Sequence, residues 1–426
     1  MGVFFIDGEL NIVGKNITEQ AVDVHKLSNG MTLVVESMRE VSSAAFMFLA
    51  PVGVAFDPEG KTGMASVLSE LVYRGAGAMD NRTLSENLDG LGLHRHSGIA
   101  TLYGSFGGAL VSGNLLEALK LHGDILRRPR MAEEQFEACR ELAIQSLDSL
   151  EDDPRHKISL LVREKYLPYP FGRPAPGKRD ELQVIRHHEI VEHWGARVSP
   201  ADTILAVAGK VYLEPLVEAV EHSFGDWQGE KLAEPERGEQ ENQVFHQPYD
   251  GAQMHIGVMY PSVTYQHEDY YAALAAVSVL SGGMGSRLFT EVREKRGLCY
   301  AVGASHQVIG GYGAVQGYLG STPERAQEAL DVMLEELRKL SDGITEYELD
   351  RAKVGLRSSL IMQGESTTAR AMSCASDFYH LNRVRSLQEI EEKIQKLTVA
   401  DVVDHAKRFK PNDFTIVTIG PEKLKT

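Results

Sequence analysis

One stretch of the chain recurs. IVEHWGARVSPADTILAVAGK (190–210) aligns with DVVDHAKRFKPNDFTIVTIGP (401–421) at a constant offset of 211 residues. Val191, Arg197, Pro200, Asp202 and Gly209 fall on Val402, Arg408, Pro411, Asp413 and Gly420. Both copies read as a helix, a Pro-Asx turn and an apolar strand that ends in glycine. For a chain of 426 residues, this points to two tandem copies of an α+β unit of about 210 residues each.

The order of elements repeats as well. MTLVVES (31–37) and AAFMFLA (44–50) have the apolar, β-favouring content of buried strands. GMASVLSELVYRG (63–75) reads as a helix, because Met64, Val67, Leu68 and Leu71 recur at three- and four-residue spacing. Helices are also expected over 82–90, 114–127, 132–150, 155–166, 184–197 and 212–224. A hairpin is expected over 93–112 and a strand over 203–209. The second half gives a strand at 252–260, helices at 267–282 and 286–296, and strands in CYAVGASHQ and GYGAVQGYLG. Helices at 323–340, 346–362, 366–380 and 398–409 follow, then a strand at 414–420. Residues 229–246 are polar and charged, which suits a linker. The expected division is 1–228, the linker 229–246, and 247–426.

Charge and cysteine content narrow the function. Asp and Glu number 60 against 44 Lys and Arg, a formal charge of -16. A field of that sign repels phosphate backbones, so no nucleic-acid partner is expected. Cys139, Cys299 and Cys374 are scattered and form no CxxC, so neither a disulfide framework nor a Cys-type zinc site is readable. No stretch reaches the roughly 18 apolar residues of a membrane span. The opening MGVFFIDGELNIVGKN lacks the basic and apolar regions of a secretory signal. A cytoplasmic location is therefore favoured, and a periplasmic one stays open if a leader has been removed.

Two histidine groups are candidates for metal ligation. RHHEIVEHW (186–194) fits neither HExxH nor HxxEH, because Glu192 and Glu189 stand where histidine is required. His188 and His193 lie five apart, about 140° around a helix, so a solvated helix face is the better reading. His94 and His96 share a strand face but have no third ligand nearby. The glycine-rich SGGMGS (281–286) lacks the GK[ST] ending of a P-loop. Gly282, Gly283 and Gly285 make either a helix-breaking turn or a place for close backbone approach to a ligand.

SGGMGSRLFTEVREKRGLCYAVGA (281–304) resembles the C-terminal-domain signature of the M16 family of zinc peptidases, the insulinase and mitochondrial-processing-peptidase relatives. LSNGMTLVVES (27–37), PVGVAFDPEGKTGMASVLSELVYRGAG (51–77), LEDDPRH (150–156) and PFGRPAPG (170–177) are similar to further motifs of that family, in the expected order. The resemblance covers roughly 25–421. It implies two tandem M16-type (LuxS/MPP-like) α+β domains that form half of a clamshell around an unfolded peptide.

The same resemblance locates a degenerate zinc site. The family carries HxxEH where this chain reads Ser66-Val67-Leu68-Ser69-Glu70. Ser66 and Glu70 replace the histidines, and Ser69 replaces the general-base glutamate. Ser146 stands where the family has its third ligand. No metal is expected in this chain, since neutral hydroxyls and one carboxylate do not make a catalytic zinc site. Arg293 and Tyr300, by contrast, match the family's Arg/Tyr pair, which contacts substrate and oxyanion across the chamber. Outside that context, Arg293 would read as a helix-surface ion pair and Tyr300 as a core residue. The combination implies a catalytically inactive subunit of a heterodimeric metallopeptidase. It would complete in trans the site of a homologous HxxEH-bearing subunit that holds the zinc, and would bind peptide substrates. The alternative is a structural or peptide-binding pseudoenzyme with no proteolytic partner.

Overall fold

The structure, a computed structural model, describes residues 20–240 and 242–425. The opening segment 1–16 lies outside the described residues. Two sheets organise the chain. The first contains β1 (Ala21–Lys26), β2 (Thr32–Ser37), β3 (Ser43–Ala50), β4 (His94–Ile99), β5 (Gly104–Val111) and β6 (Ile204–Gly209), in the order β1-β2-β6-β3-β5-β4. The second contains β7 (Val244–Pro248), β8 (Met254–Ser262), β9 (Ala301–Ile309), β10 (Tyr312–Ser321) and β11 (Thr415–Gly420), in the order β9-β10-β8-β11-β7.

The sequence repeat is a structural repeat. Strands β2-β6-β3-β5-β4 correspond to β7-β11-β8-β10-β9, and β1 is an addition at one edge. Each sheet has a single parallel pair, β2 with β6 and β7 with β11, among antiparallel neighbours. Val244–Gln247 in β7 is the counterpart of Leu33–Glu36 in β2. The expected linker therefore ends inside the second sheet. Its last residues, Val244 to His246, pair with Ile416 to Thr418 of β11. A short polar strand at a sheet edge carries too little apolar patterning to be seen in sequence.

Most expected helices form. Those used below are α1 (Met64–Leu71), α2 (Glu133–Glu151), α3 (Pro154–Tyr166), α4 (Tyr270–Ser281), α5 (Glu346–Gly364) and α6 (Thr367–Leu381). The helix expected over 184–197 forms over His187–Arg197, and Arg179–Val184 and Leu387–Lys396 are helices beyond those expected.

Each sheet packs one face on helices of its own half, giving two large cores. The opposite faces are closed by an exchange. From the first half, α3 puts Ile158, Val162 and Tyr166 against Met259, Ala314, Val417 and Ile419 of the second sheet. From the second half, α6 puts Ala371, Cys374 and Ala375 against Val34, Met47, Ala206 and Ala208 of the first. A sheet with apolar residues on both faces must be covered on both. A division of the sequence at residues 229–246 therefore cuts two units that share helices.

The exchanged helices are held differently. Arg370 of α6, 2% exposed, reaches Glu36 of β2, 3% exposed, at 2.8 Å, and Cys374 Sγ lies 3.2 Å from the same carboxylate. The repeat positions on α3 are Ser159 and Arg163. There the arginine meets an amide in place of a carboxylate: Gln316 Nε2 donates to Ser159 Oγ at 2.7 Å, and Arg163 Nε donates to Gln316 Oε1 at 2.9 Å.

Breaking one partner of a buried ion pair strands the other. Glu36→Gln is expected to lower the unfolding free energy by about 3–5 kcal/mol, while the double replacement Glu36→Leu with Arg370→Met recovers most of it. Urea unfolding of the three proteins checks this, and a single-variant loss below about 1 kcal/mol would contradict it.

Burial also holds the pKa values of His122, His193, His306 and His380 down to about 4. In the unfolded chain a histidine titrates near 6.5. The native state then binds fewer protons than the unfolded one, so stability is lost as pH falls from about 6.5 towards 4. Asp57, raised by burial to about 7, acts in the opposite sense but is one group against four. Unfolding free energy measured across this window should fall with acid, and a flat or rising profile would contradict the assignment.

Candidate functional site

Helix α1 carries Ser66, Ser69 and Glu70, three of the four positions that the sequence resemblance sets against the zinc ligands and base. It starts at Gly63, with φ of +104°. A Cβ there would come within 2.8 Å of the Gly177 Cα, so the glycine is required by the approach of the 170–177 loop. The buried Asp57 carboxylate caps the helix, accepting from Gly63 N at 2.8 Å and Ala65 N at 3.0 Å. Arg173 donates to the Asp57 carbonyl and ties the loop to the same turn.

Each hydroxyl on these helices donates to a backbone carbonyl. Half-buried Ser66 donates to Ala175 O at 2.5 Å. Buried Ser69 donates to Ser66 O at 2.8 Å. Ser146, exposed on α2, donates to Leu142 O at 3.0 Å. Glu70 faces solvent. Helices α1 and α2 pack together, so the fold does bring the two carriers side by side. The donor set does not suit zinc: Glu70 is the one anionic group, and it stands among serines already engaged with the backbone. Among the described residues, no group of three or more His, Cys, Asp or Glu side chains is placed to hold a metal ion.

The histidines singled out in the sequence divide. His188 is exposed and His193 is buried, which corrects the reading of one solvated face; the Ile190 and Trp194 stripe carries His193 into the core. His94 and His96 are exposed on the edge strand β4, with His96 Nε2 3.5 Å from Ser105 Oγ.

The second half presents Arg293 and Tyr300 next to a change in backbone. The helix expected over 286–296 has π-helical geometry at Phe289–Glu294, a form that recurs at functional sites. Arg293 is exposed, 4.9 Å over the Phe289 ring. Lys295 and Arg296 both pair with Glu291, and Arg293 has no ion pair among the described residues. Tyr300 is 44% exposed. Neither is the surface ion pair or core aromatic that each would be in isolation.

The glycine-rich turn links α4 to this π-helix. Gly283 has φ of +140°, which requires glycine, and a Cβ on Gly285 would come within 2.6 Å of the Arg351 guanidinium from α5. The close approach is thus to a side chain of the same protein.

Sequence reading missed the surroundings of Tyr300. Its hydroxyl lies 3.2 Å from that of Tyr318, which lies 3.0 Å from His255 Nδ1. Arg155, in the first turn of α3, sits 5.1 Å over the Tyr318 ring. The alternation of β10 places Tyr318 and Gly320 on one face, but only the pairing with β8 brings His255 to them.

Comparisons agree with this architecture. The model of the family domain described as "Peptidase M16 inactive domain" matches residues 187–356. An uncharacterized zinc protease of Rickettsia bellii is 25% identical over 409 residues, covering 94% of this chain and 98% of that protein. One from Mycobacterium tuberculosis is 26% identical over 413 residues, covering 94% and 93%. A crystal structure of a peptidase M16 inactive domain from Pseudomonas fluorescens superposes with a TM-score of 0.87 at 20% identity, covering 95% of this chain and 99% of that one. A protease from Helicobacter pylori superposes with the same TM-score, 0.87, at 19% identity, covering 94% of this chain and 100% of that one. With its repeated α+β halves, its match to the inactive-domain model over 187–356 and its likeness to these proteins over nearly its whole length, this chain is similar to the M16 peptidases.

Proposed function

We propose that this chain is the zinc-free subunit of a two-chain M16-type peptidase. In this reading it forms half of the peptide chamber. It lends Arg293 and Tyr300 to the active site of a homologous subunit that carries HxxEH and the zinc. The observation that carries the reading is the contrast between the two elements. Three of the four zinc-site positions, Ser66, Ser69 and Ser146, carry hydroxyls spent on backbone carbonyls. The Arg/Tyr pair stays exposed and is not consumed by an ion pair or by the core.

The division of labour follows from the chemistry. Peptide hydrolysis by zinc needs a metal-bound water and a carboxylate to take its proton. Ser69 has no proton affinity suited to that task. What this chain offers is a phenol that donates to a developing oxyanion and a guanidinium that grips a backbone carbonyl or carboxylate. Such groups act wherever their geometry places them, on whichever chain they are carried. The peptide substrates belong to the same proposal, and the net charge of -16 suits a chamber that draws in basic ones. Among the described residues, no helix is long and apolar enough to cross a membrane.

Two measurements test the reading. Mixed with a HxxEH-bearing homologue, the chain should restore peptide cleavage, and Arg293→Ala or Tyr300→Phe should then slow turnover by about 10²–10³. An unchanged rate in the reconstituted complex contradicts the role in trans. Metal analysis of the isolated chain should find zinc well below one per chain, and stoichiometric zinc with activity in the chain alone would overturn the assignment.

A further inference from the structure

Three side chains from neighbouring strands stand in line on the second sheet. Tyr300 directly precedes β9, Tyr318 is on β10 and His255 is on β8. The register sets Gly320 of β10 opposite both Ala301 and His255. Tyr300 N donates to Gly320 O at 3.1 Å, and the phenol ring folds back across that glycine. A Cβ on Gly320 would come within 2.5 Å of the Tyr300 ring. The glycine is therefore the seat that lets the ring lie across the strand.

From that seat the Tyr300 hydroxyl meets Tyr318 at 3.2 Å, and Tyr318 meets His255 Nδ1 at 3.0 Å. His255 is 5% exposed, Tyr318 is half-buried and Tyr300 is 44% exposed. The line thus runs from the interior to solvent. The Arg155 guanidinium covers the middle ring, so the first half of the chain pins a contact that belongs to the second.

We infer that His255 and Tyr318 are positioning residues for Tyr300, forming a hydrogen-bonded relay that turns the Tyr300 proton outward. The inference rests on the proposed role of Tyr300 as an oxyanion donor. A phenol has one proton. If Tyr300 donates it inward to Tyr318, an approaching oxyanion meets only lone pairs. If His255 Nδ1–H donates to Tyr318, and Tyr318 donates to Tyr300, the outermost proton is left for the substrate. Burial holds His255 below its usual range, which keeps the ring neutral with a single N–H. The two inner bonds also polarise the outer hydroxyl, because hydrogen bonds in series strengthen one another. No proton changes hands in the relay, and its effect is orientation and polarity.

Two experiments decide it. Nitrogen-15 NMR of the histidine-labelled free chain reads the tautomer of His255. The expected result is protonation on Nδ1, with a signature that changes in Tyr318→Phe. Protonation on Nε2, or a signature indifferent to Tyr318→Phe, overturns the relay. In the complex with a HxxEH-bearing subunit, Tyr318→Phe should lower kcat about tenfold, the scale of one hydrogen bond, with little change in KM. It should add no further loss on top of Tyr300→Phe. An equal loss in both backgrounds overturns the relay. If Tyr300→Phe alone leaves turnover intact, it is the role in trans that fails, and the NMR result then decides the relay by itself.

Discussion

The structure depends on an exchange of helices between two copies of one unit. Neither sheet is closed by its own half, since α3 covers the second sheet and α6 covers the first. This follows from strands that are apolar on both faces, such as Val34 and Val35 in β2. One face takes the helices of the same half and the other needs an apolar stripe from elsewhere. The duplicated chain supplies it twice, in opposite directions. The Glu36–Arg370 pair fixes one crossing with a buried charge, and the Ser159–Gln316–Arg163 cluster fixes the other with hydrogen bonds.

The same exchange shapes the candidate site. Helix α3 follows α2, the carrier of Ser146, and its first turn lays Arg155 on Tyr318. The environment of Tyr300 is thus built by both halves. The two groups of candidate residues are held differently in this chain. On α1 and α2 the hydroxyls are already engaged with backbone carbonyls, Ser69 and Ser146 within their own helices and Ser66 on the 170–177 loop. Beside the π-helix, Arg293 and Tyr300 remain open to solvent. A stability argument alone explains the first arrangement and gives no reason for the second.

Much of this is legible in the sequence. The 211-residue offset, read from five matched positions, holds through the sheets: Ile204–Gly209 and Thr415–Gly420 are equivalent strands in equivalent places. Helical stripes such as Met64, Val67, Leu68 and Leu71 mark true core faces because burial dictates their period. Three features are hidden for physical reasons. The edge strand β7 has no apolar alternation. The helix exchange is invisible to periodicity, since a stripe shows that a helix is buried but not against which sheet. The His255–Tyr318–Tyr300 line depends on register between strands separated by dozens of residues. His193 is misread from sequence because a charged string hides a residue on its buried side.

The central claim is that Tyr300 of this chain reaches a substrate held in another chain's active site. Its most direct test is a photo-reactive phenylalanine placed at Tyr300 in the complex with a HxxEH-bearing subunit whose catalytic glutamate is disabled, loaded with peptide. The account predicts a light-dependent cross-link from position 300 to the peptide or to the partner's zinc helix. Cross-links confined to this chain, with peptide bound, would contradict it.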